Sequence, residues 1–126
     1  MIKLHDLYFK PFISEKEIDT AVQTMVDGIA ADLGDEVPVF IGILNGSFML
    51  VSDFVKKYPK PCEVTFIKLA SYEGVKSTED IQRLIGLTQD LTGRTVVILE
   101  DIIDSGNTLE EVHRIFKNEN VKQLII

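Results

Sequence analysis

At 126 residues, 45% of them hydrophobic and 26% charged, the chain has the size of one domain and is too apolar for a disordered polymer. Thirteen Lys and Arg against 20 Asp and Glu leave a net charge of −7, similar in both halves, so no basic stripe exists to neutralise the phosphates of a nucleic acid. The single Cys62 excludes a disulfide scaffold, and no apolar run approaches the ~20 residues of a membrane span. Met1 to Asp6 lacks the layout of a signal peptide, and the expectation is a cytoplasmic, single-domain chain over 1–126 with no membrane and no nucleic-acid partner.

In chain order, Ser14-Glu15-Lys16-Glu17 matches a capping box, in which Ser14 and Glu17 satisfy each other's free backbone donors. Behind it, Ile18, Val22, Met25, Ile29 and Leu33 fall at spacings of three and four and predict one apolar helical face, with Gly34 as the stop. Pro38 then opens Val39 to Leu44, a continuous apolar run that suits a strand buried on both faces. Asn45-Gly46-Ser47 reads as a turn, followed by a short helix from Phe48 to Tyr58 with Phe48, Val51, Phe54 and Val55 inward. Pro59-Lys60-Pro61 breaks it, and Glu63 to Ala70 predicts a second strand.

Ser71 to Leu84 is polar and weakly patterned, and loops of that length inside a compact domain often act as lids. Gly86 to Leu91 reads as a short strand and Thr92-Gly93 as a turn. A buried strand follows at Thr95 to Leu99, then a helix from Thr108 to Asn118 and a last buried strand from Val121 to Ile126. Strands alternating with helices imply an α/β fold: an open, mostly parallel sheet with helices on both faces. The chain stops inside an apolar run, which predicts a truncated product.

The stretch from Val96 to Thr108 concentrates the chemistry. A buried strand delivers Glu100 and Asp101 to its carboxyl end, where ligands bind in open α/β sheets. The turn from Asp104 to Thr108 then offers successive backbone amides, two hydroxyls and a helix N-terminus, a cradle for a phosphate monoester. Gly106 lets the backbone approach that phosphate. The carboxylates beside it suit sugar hydroxyls or a hydrated Mg²⁺. The plainer alternative leaves Asp104 as a helix cap and the acid pair as a solvated strand end. His5 and His113 have no partners at zinc-ligand spacing, Lys56-Lys57 complements a helix dipole, and Gly42 to Gly46 is no GxGxxG fingerprint.

At these residues the sequence resembles the type I phosphoribosyltransferases, whose hallmark is a strand ending in two acids, then apolar residues, then Asp-Ser/Thr-Gly-x-Thr. Leu44-Asn45-Gly46-Ser47-Phe48, Ser71-Tyr72-Glu73-Gly74 and Leu91-Thr92-Gly93-Arg94 are similar to segments of the hypoxanthine-guanine branch. The resemblance covers most of residues 8–126 and implies a Rossmann-like core. It implies a reaction in which a 6-oxopurine displaces pyrophosphate from 5-phosphoribosyl 1-diphosphate, giving a nucleoside 5′-monophosphate. It assigns Glu100, Asp101, Ile102, Ile103, Asp104, Ser105, Gly106, Asn107 and Thr108 to the phosphoribosyl group, with Asp104 as the proton acceptor. Glu100 and Asp101 would also serve Mg²⁺.

The same resemblance assigns Leu44, Asn45 and Gly46 to the pyrophosphate, with a cis Leu44–Asn45 peptide. Asn45 stands where many relatives carry Lys, so that positive charge is lacking here. Lys68 is read either as a further cation near the pyrophosphate or as an ordinary strand lysine. Ser71 and Tyr72 would form the mobile loop that excludes water. The family's final core strand and its base-binding lid have no counterpart here, so the sequence names no base-reading residue. A homo-oligomer, dimer or tetramer, is implied. Two other readings remain open: a nucleotide-sensing regulator on the same scaffold, and an inactive fragment.

Overall fold

The computed structural model describes residues 1–69, 83–103 and 106–126. Strands β1 (Ile2–Leu4) and β2 (Leu7–Phe9) form an antiparallel hairpin ahead of helix α1 (Glu15–Leu33). There follow β3 (Val39–Leu44), α2 (Phe48–Lys57), β4 (Glu63–Leu69), β5 (Arg83–Ile85), β6 (Thr95–Leu99), α3 (Asn107–Phe116) and β7 (Gln123–Ile125). The main sheet runs in the order β5-β4-β3-β6-β7. Its β4, β3, β6 and β7 are parallel, and β5 runs antiparallel to β4.

The expected α/β sheet with helices on both faces is what the chain forms. Side chains alternate across a strand, so each central strand feeds two cores. On one face Phe40, Val97 and Leu99 pack with Val22, Val26 and Leu33 of α1 and with Val51 and Phe54 of α2. On the other, Val39, Ile41, Ile43, Ile67, Val96 and Ile98 pack with Val112, Ile115 and Phe116 of α3. The first core is anchored by rings: Phe40 meets Phe54 and Tyr58 edge-on, with centroids 5.1 and 4.9 Å apart.

Several local expectations need correction. In α1 the capping box is present, with Glu17 Oε2 accepting from the Ser14 amide at 2.7 Å and Ser14 Oγ accepting from the Glu17 amide at 3.2 Å. The inward stripe, however, is Val22, Val26, Ala30 and Leu33, with Ile29 half-buried; Ile18 and Met25 are exposed. The first two turns of α1 are exposed throughout, so Ile18 has no core to enter. Phe48 is exposed too, because it opens α2 at the sheet's rim, ahead of the turn that Val51 and Phe54 bury.

The strand expected at 86–91 is absent, and the neighbouring strand is β5, which starts at Arg83 inside the stretch read as a loop. Leu91 nonetheless plugs the α3-side core, fully buried. The last strand spans three residues and is half-buried, because β7 is an outer strand with only β6 beside it. Ala70 lies outside the described residues, as does the stretch around Ser71 and Tyr72. Among the described residues no helix is long and apolar enough to cross a membrane.

Candidate active site

Parallel strands place their carboxyl ends on one rim, and there the sequence has set its unusual residues. In the register Gly42 pairs with Leu99, so the residues two steps on, Leu44 and Asp101, reach the same level. Leu44 also pairs with Lys68 of β4. Three segments therefore meet: the β3–α2 loop with Asn45 and Gly46, the end of β4 with Lys68, and the acid pair after β6.

The β3–α2 loop is tight. Its Leu44–Asn45 peptide is cis, as the resemblance implies. Ser47 is fully buried and donates its hydroxyl to the Ile43 carbonyl at 2.6 Å, whereas Asn45 and Gly46 are exposed. Gly46 lies against the acid pair: a Cβ on it would sit 2.8 and 2.9 Å from the Asp101 carboxylate oxygens. No β carbon fits there while Asp101 holds its place. Lys68 is half-buried and has no ion-pair partner among the described residues.

Glu100 and Asp101 differ in setting. Asp101 is exposed, and its amide donates to Glu100 Oε1 at 3.2 Å. Glu100 is half-buried at the mouth of a 380 Å³ cavity lined by Met25, Ile29, Leu50, Phe54, Leu99 and Ile103. Burial pushes the Glu100 carboxyl up to about 7, helped by the side-chain hydrogen bond and negative charge of Asp101 and opposed by the backbone bond. A carboxyl so raised beside a second carboxylate marks a spot short of positive charge or of hydroxyl donors.

Downstream, Gly106 caps α3 with φ +80°, the left-handed region where glycine is at home. A Cβ there would meet nothing within 4 Å, so in this structure the glycine supplies a backbone conformation rather than clearance. The Glu110 amide bonds Gly106, which leaves the amides of the first turn, Asn107 to Leu109, without helical acceptors. Among the described residues no side chain caps this end. Thr108 is exposed in that turn. Ile102 and Ile103, on the bend between acids and helix, are exposed as well. Asp104, Ser105, Ser71 and Tyr72 lie outside the described residues.

The structure thus brings together Leu44, Asn45, Gly46, Lys68, Glu100 and Asp101 on one rim. The sequence places Ser47 in a turn and in the segment similar to the hypoxanthine-guanine branch, without a role of its own. Its one signal was a serine immediately before a helix, which suggests a cap rather than the backward bond it makes.

Comparison with known proteins identifies the family. A family profile described as "Phosphoribosyl transferase domain" matches residues 14–126. The hypoxanthine phosphoribosyltransferase of Salmonella typhimurium is 43% identical over 96 residues, which are 75% of this chain and 53% of that protein. The protein of that name from Buchnera aphidicola is 36% identical over 120 residues, 93% of this chain and 68% of its own length. The crystal structure of a hypoxanthine-guanine phosphoribosyltransferase from Bacillus anthracis superposes with a TM-score of 0.83 at 29% identity, covering 92% of this chain and 67% of that one. The chain spans about half to two thirds of the length of the relatives it matches. With profile, sequence and fold in agreement, the chain belongs to the phosphoribosyltransferase family, in its hypoxanthine branch.

Proposed function

We propose that this chain carries the phosphoribosyl-transfer site of a purine-salvage enzyme, in which hypoxanthine, or guanine or xanthine, displaces pyrophosphate from 5-phosphoribosyl 1-diphosphate. The observation that carries the reading is the contact of Gly46 with the Asp101 carboxylate. It sets a loop whose Asn45 and Gly46 are exposed, suited to a diphosphate, directly beside acids suited to sugar hydroxyls. The first turn of α3, which opens on Gly106, would supply amides for the 5′-phosphate at the other end of the same sugar.

The roles follow from charge and position. Glu100 and Asp101 would hold the ribose hydroxyls; Ser105, Gly106, Asn107 and Thr108 would hold the 5′-phosphate, with Ile102 and Ile103 shaping the approach. The exposed Asn45 and Gly46, next to Leu44, would hold the leaving pyrophosphate, and Lys68 would add a cation there. Asp104 would take the proton released from the purine ring as its nitrogen bonds the anomeric carbon. Ser71 and Tyr72 would exclude water, since the oxocarbenium-like transition state must not be hydrolysed.

The donor set fits Mg²⁺. Among the described residues no group of three or more His, Cys, Asp or Glu comes together, so a cation at Glu100 and Asp101 would complete its shell with ligand oxygens and water, as Mg²⁺ does. When bound, Mg²⁺ neutralises the pyrophosphate as it leaves. We assign the chain to one domain over 1–126, acting in the cytoplasm, where a lone cysteine suits the reducing medium. A homo-oligomer, dimer or tetramer, fits the exposed Phe48 and Met49 on α2.

The test supplies 5-phosphoribosyl 1-diphosphate and Mg²⁺ with each base in turn and follows pyrophosphate and nucleotide. Turnover of hypoxanthine supports the reading. Absence of both turnover and Mg²⁺-dependent binding of the sugar diphosphate contradicts it.

A further inference from the structure

We propose that Ser47 is a positioning residue for the pyrophosphate loop: its hydroxyl closes the loop onto the end of β3 and so holds Gly46 against the Asp101 carboxylate. The inference rests on the function proposed above and adds a residue that neither the motif nor the family match assigns a role.

Serine before a helix ordinarily accepts a bond from the second or third amide of that helix. Ser47 does not. It stands at the start of α2 with helical torsions, φ −76° and ψ −8°, and makes no side-chain cap. Its hydroxyl instead donates backward to Ile43, the penultimate residue of β3, at 2.6 Å, and its own amide points to the same carbonyl at 3.4 Å. Leu44, Asn45 and Gly46 are the three residues enclosed by that bond. The forward face of Ser47 is tied down separately, since its carbonyl accepts from the Val51 amide at 2.9 Å.

Of the enclosed residues Asn45 and Gly46 are exposed and Leu44 is half-buried, whereas the bond that encloses them is fully buried. A buried hydroxyl–carbonyl bond keeps its full geometric hold because water does not compete for either partner. On the other side of the loop, Gly46 abuts Asp101 so closely that a Cβ would reach within 2.9 Å of both carboxylate oxygens. The loop is therefore pinned from below by Ser47 and limited from the side by Asp101. Without the hydroxyl, the turn is closed by two long bonds, the Ser47 amide to the Ile43 carbonyl and the Phe48 amide to the Asn45 carbonyl, both at 3.4 Å. The helix, held by Val51 and Phe54 in the core, stays in place. The amides of the exposed Asn45 and Gly46 then lose their fixed direction, and the side they serve is the diphosphate side alone.

The experiment compares Ser47→Ala and Ser47→Thr with the wild-type chain. It measures calorimetric affinities for Mg²⁺-pyrophosphate and for inosine 5′-monophosphate, with the amide NMR resonances of Gly46 and Asp101. Ser47→Ala should weaken pyrophosphate roughly tenfold, leave the monophosphate within about threefold and move both resonances; Ser47→Thr, which keeps the hydroxyl, should restore pyrophosphate binding. Unchanged pyrophosphate affinity in Ser47→Ala overturns the inference. So does equal weakening of both ligands, the result of a merely structural loss. If Ser47→Ala does not fold, Ser47→Thr decides: wild-type pyrophosphate affinity supports the inference and its loss in a folded variant overturns it. A wild-type chain that binds neither ligand contradicts the proposed function instead, and the Gly46 and Asp101 resonances of Ser47→Ala then settle the positioning question alone.

Discussion

Two neighbouring carboxyls, Glu100 and Asp101, differ because one backs onto an apolar cavity and the other faces water. The Glu100 carboxyl rises to about 7 from an ordinary 4.5, mainly through burial. In that interval the folded chain holds a proton that the unfolded chain has released. The stabilisation is complete below about pH 4.5 and is lost as the pH rises through about 7. Glu100→Gln should flatten this decline, which thermal melts across the interval would measure; an unchanged slope would assign the decline to other groups. The proposed proton acceptor makes a separate prediction. Asp104→Ala should reduce turnover by ~10²–10⁴-fold with the fold intact. Near-normal turnover would remove Asp104 from that role.

Between strand and helix, the spacing is set by a residue with no side chain. At Gly42 in β3 an added Cβ would lie 2.7 Å from Val51 Cγ2 and 2.9 Å from the Phe66 ring. Gly42→Ala should therefore cost about 1–3 kcal/mol, read as a lower denaturation midpoint at unchanged slope. An unaltered midpoint would mean that α2 has room to move off the sheet. The same tightness explains which elements were legible in sequence. Strands β3 and β6 announce themselves because both faces are buried, so every residue from Val39 to Ile43 and from Thr95 to Leu99 must be small or apolar. The hairpin β1–β2 was missed because its residues are exposed on both sides and its turn, His5-Asp6, lacks glycine. Helix α1 showed its apolar period, but not which half of it had a neighbour, and so Ile18 and Met25 were placed wrongly. Ser47 was illegible as a clamp, since only the fold reveals that its hydroxyl turns back to Ile43.

Across the whole molecule, sheet order brings together what sequence keeps far apart. Gly46 and Asp101 are separated by more than fifty positions, yet β3 and β6 are adjacent and parallel, so their carboxyl ends must meet. The apolar surface tells of the rest. Ile2, Leu4, Leu7, Tyr8 and Phe9 of the hairpin are exposed, as are Phe48 and Met49 on α2. On the function proposed here, the ends of β3 and β6 and the start of α3 form a single site for a phosphorylated sugar. Amide NMR during titration with 5-phosphoribosyl 1-diphosphate and Mg²⁺ tests it most directly. Asn45, Gly46, Glu100, Asp101, Gly106 and Thr108 should shift together, along one saturation curve. Shifts confined to the far end of α3, around His113 and Lys117, with Gly46 and Asp101 unmoved, would contradict it.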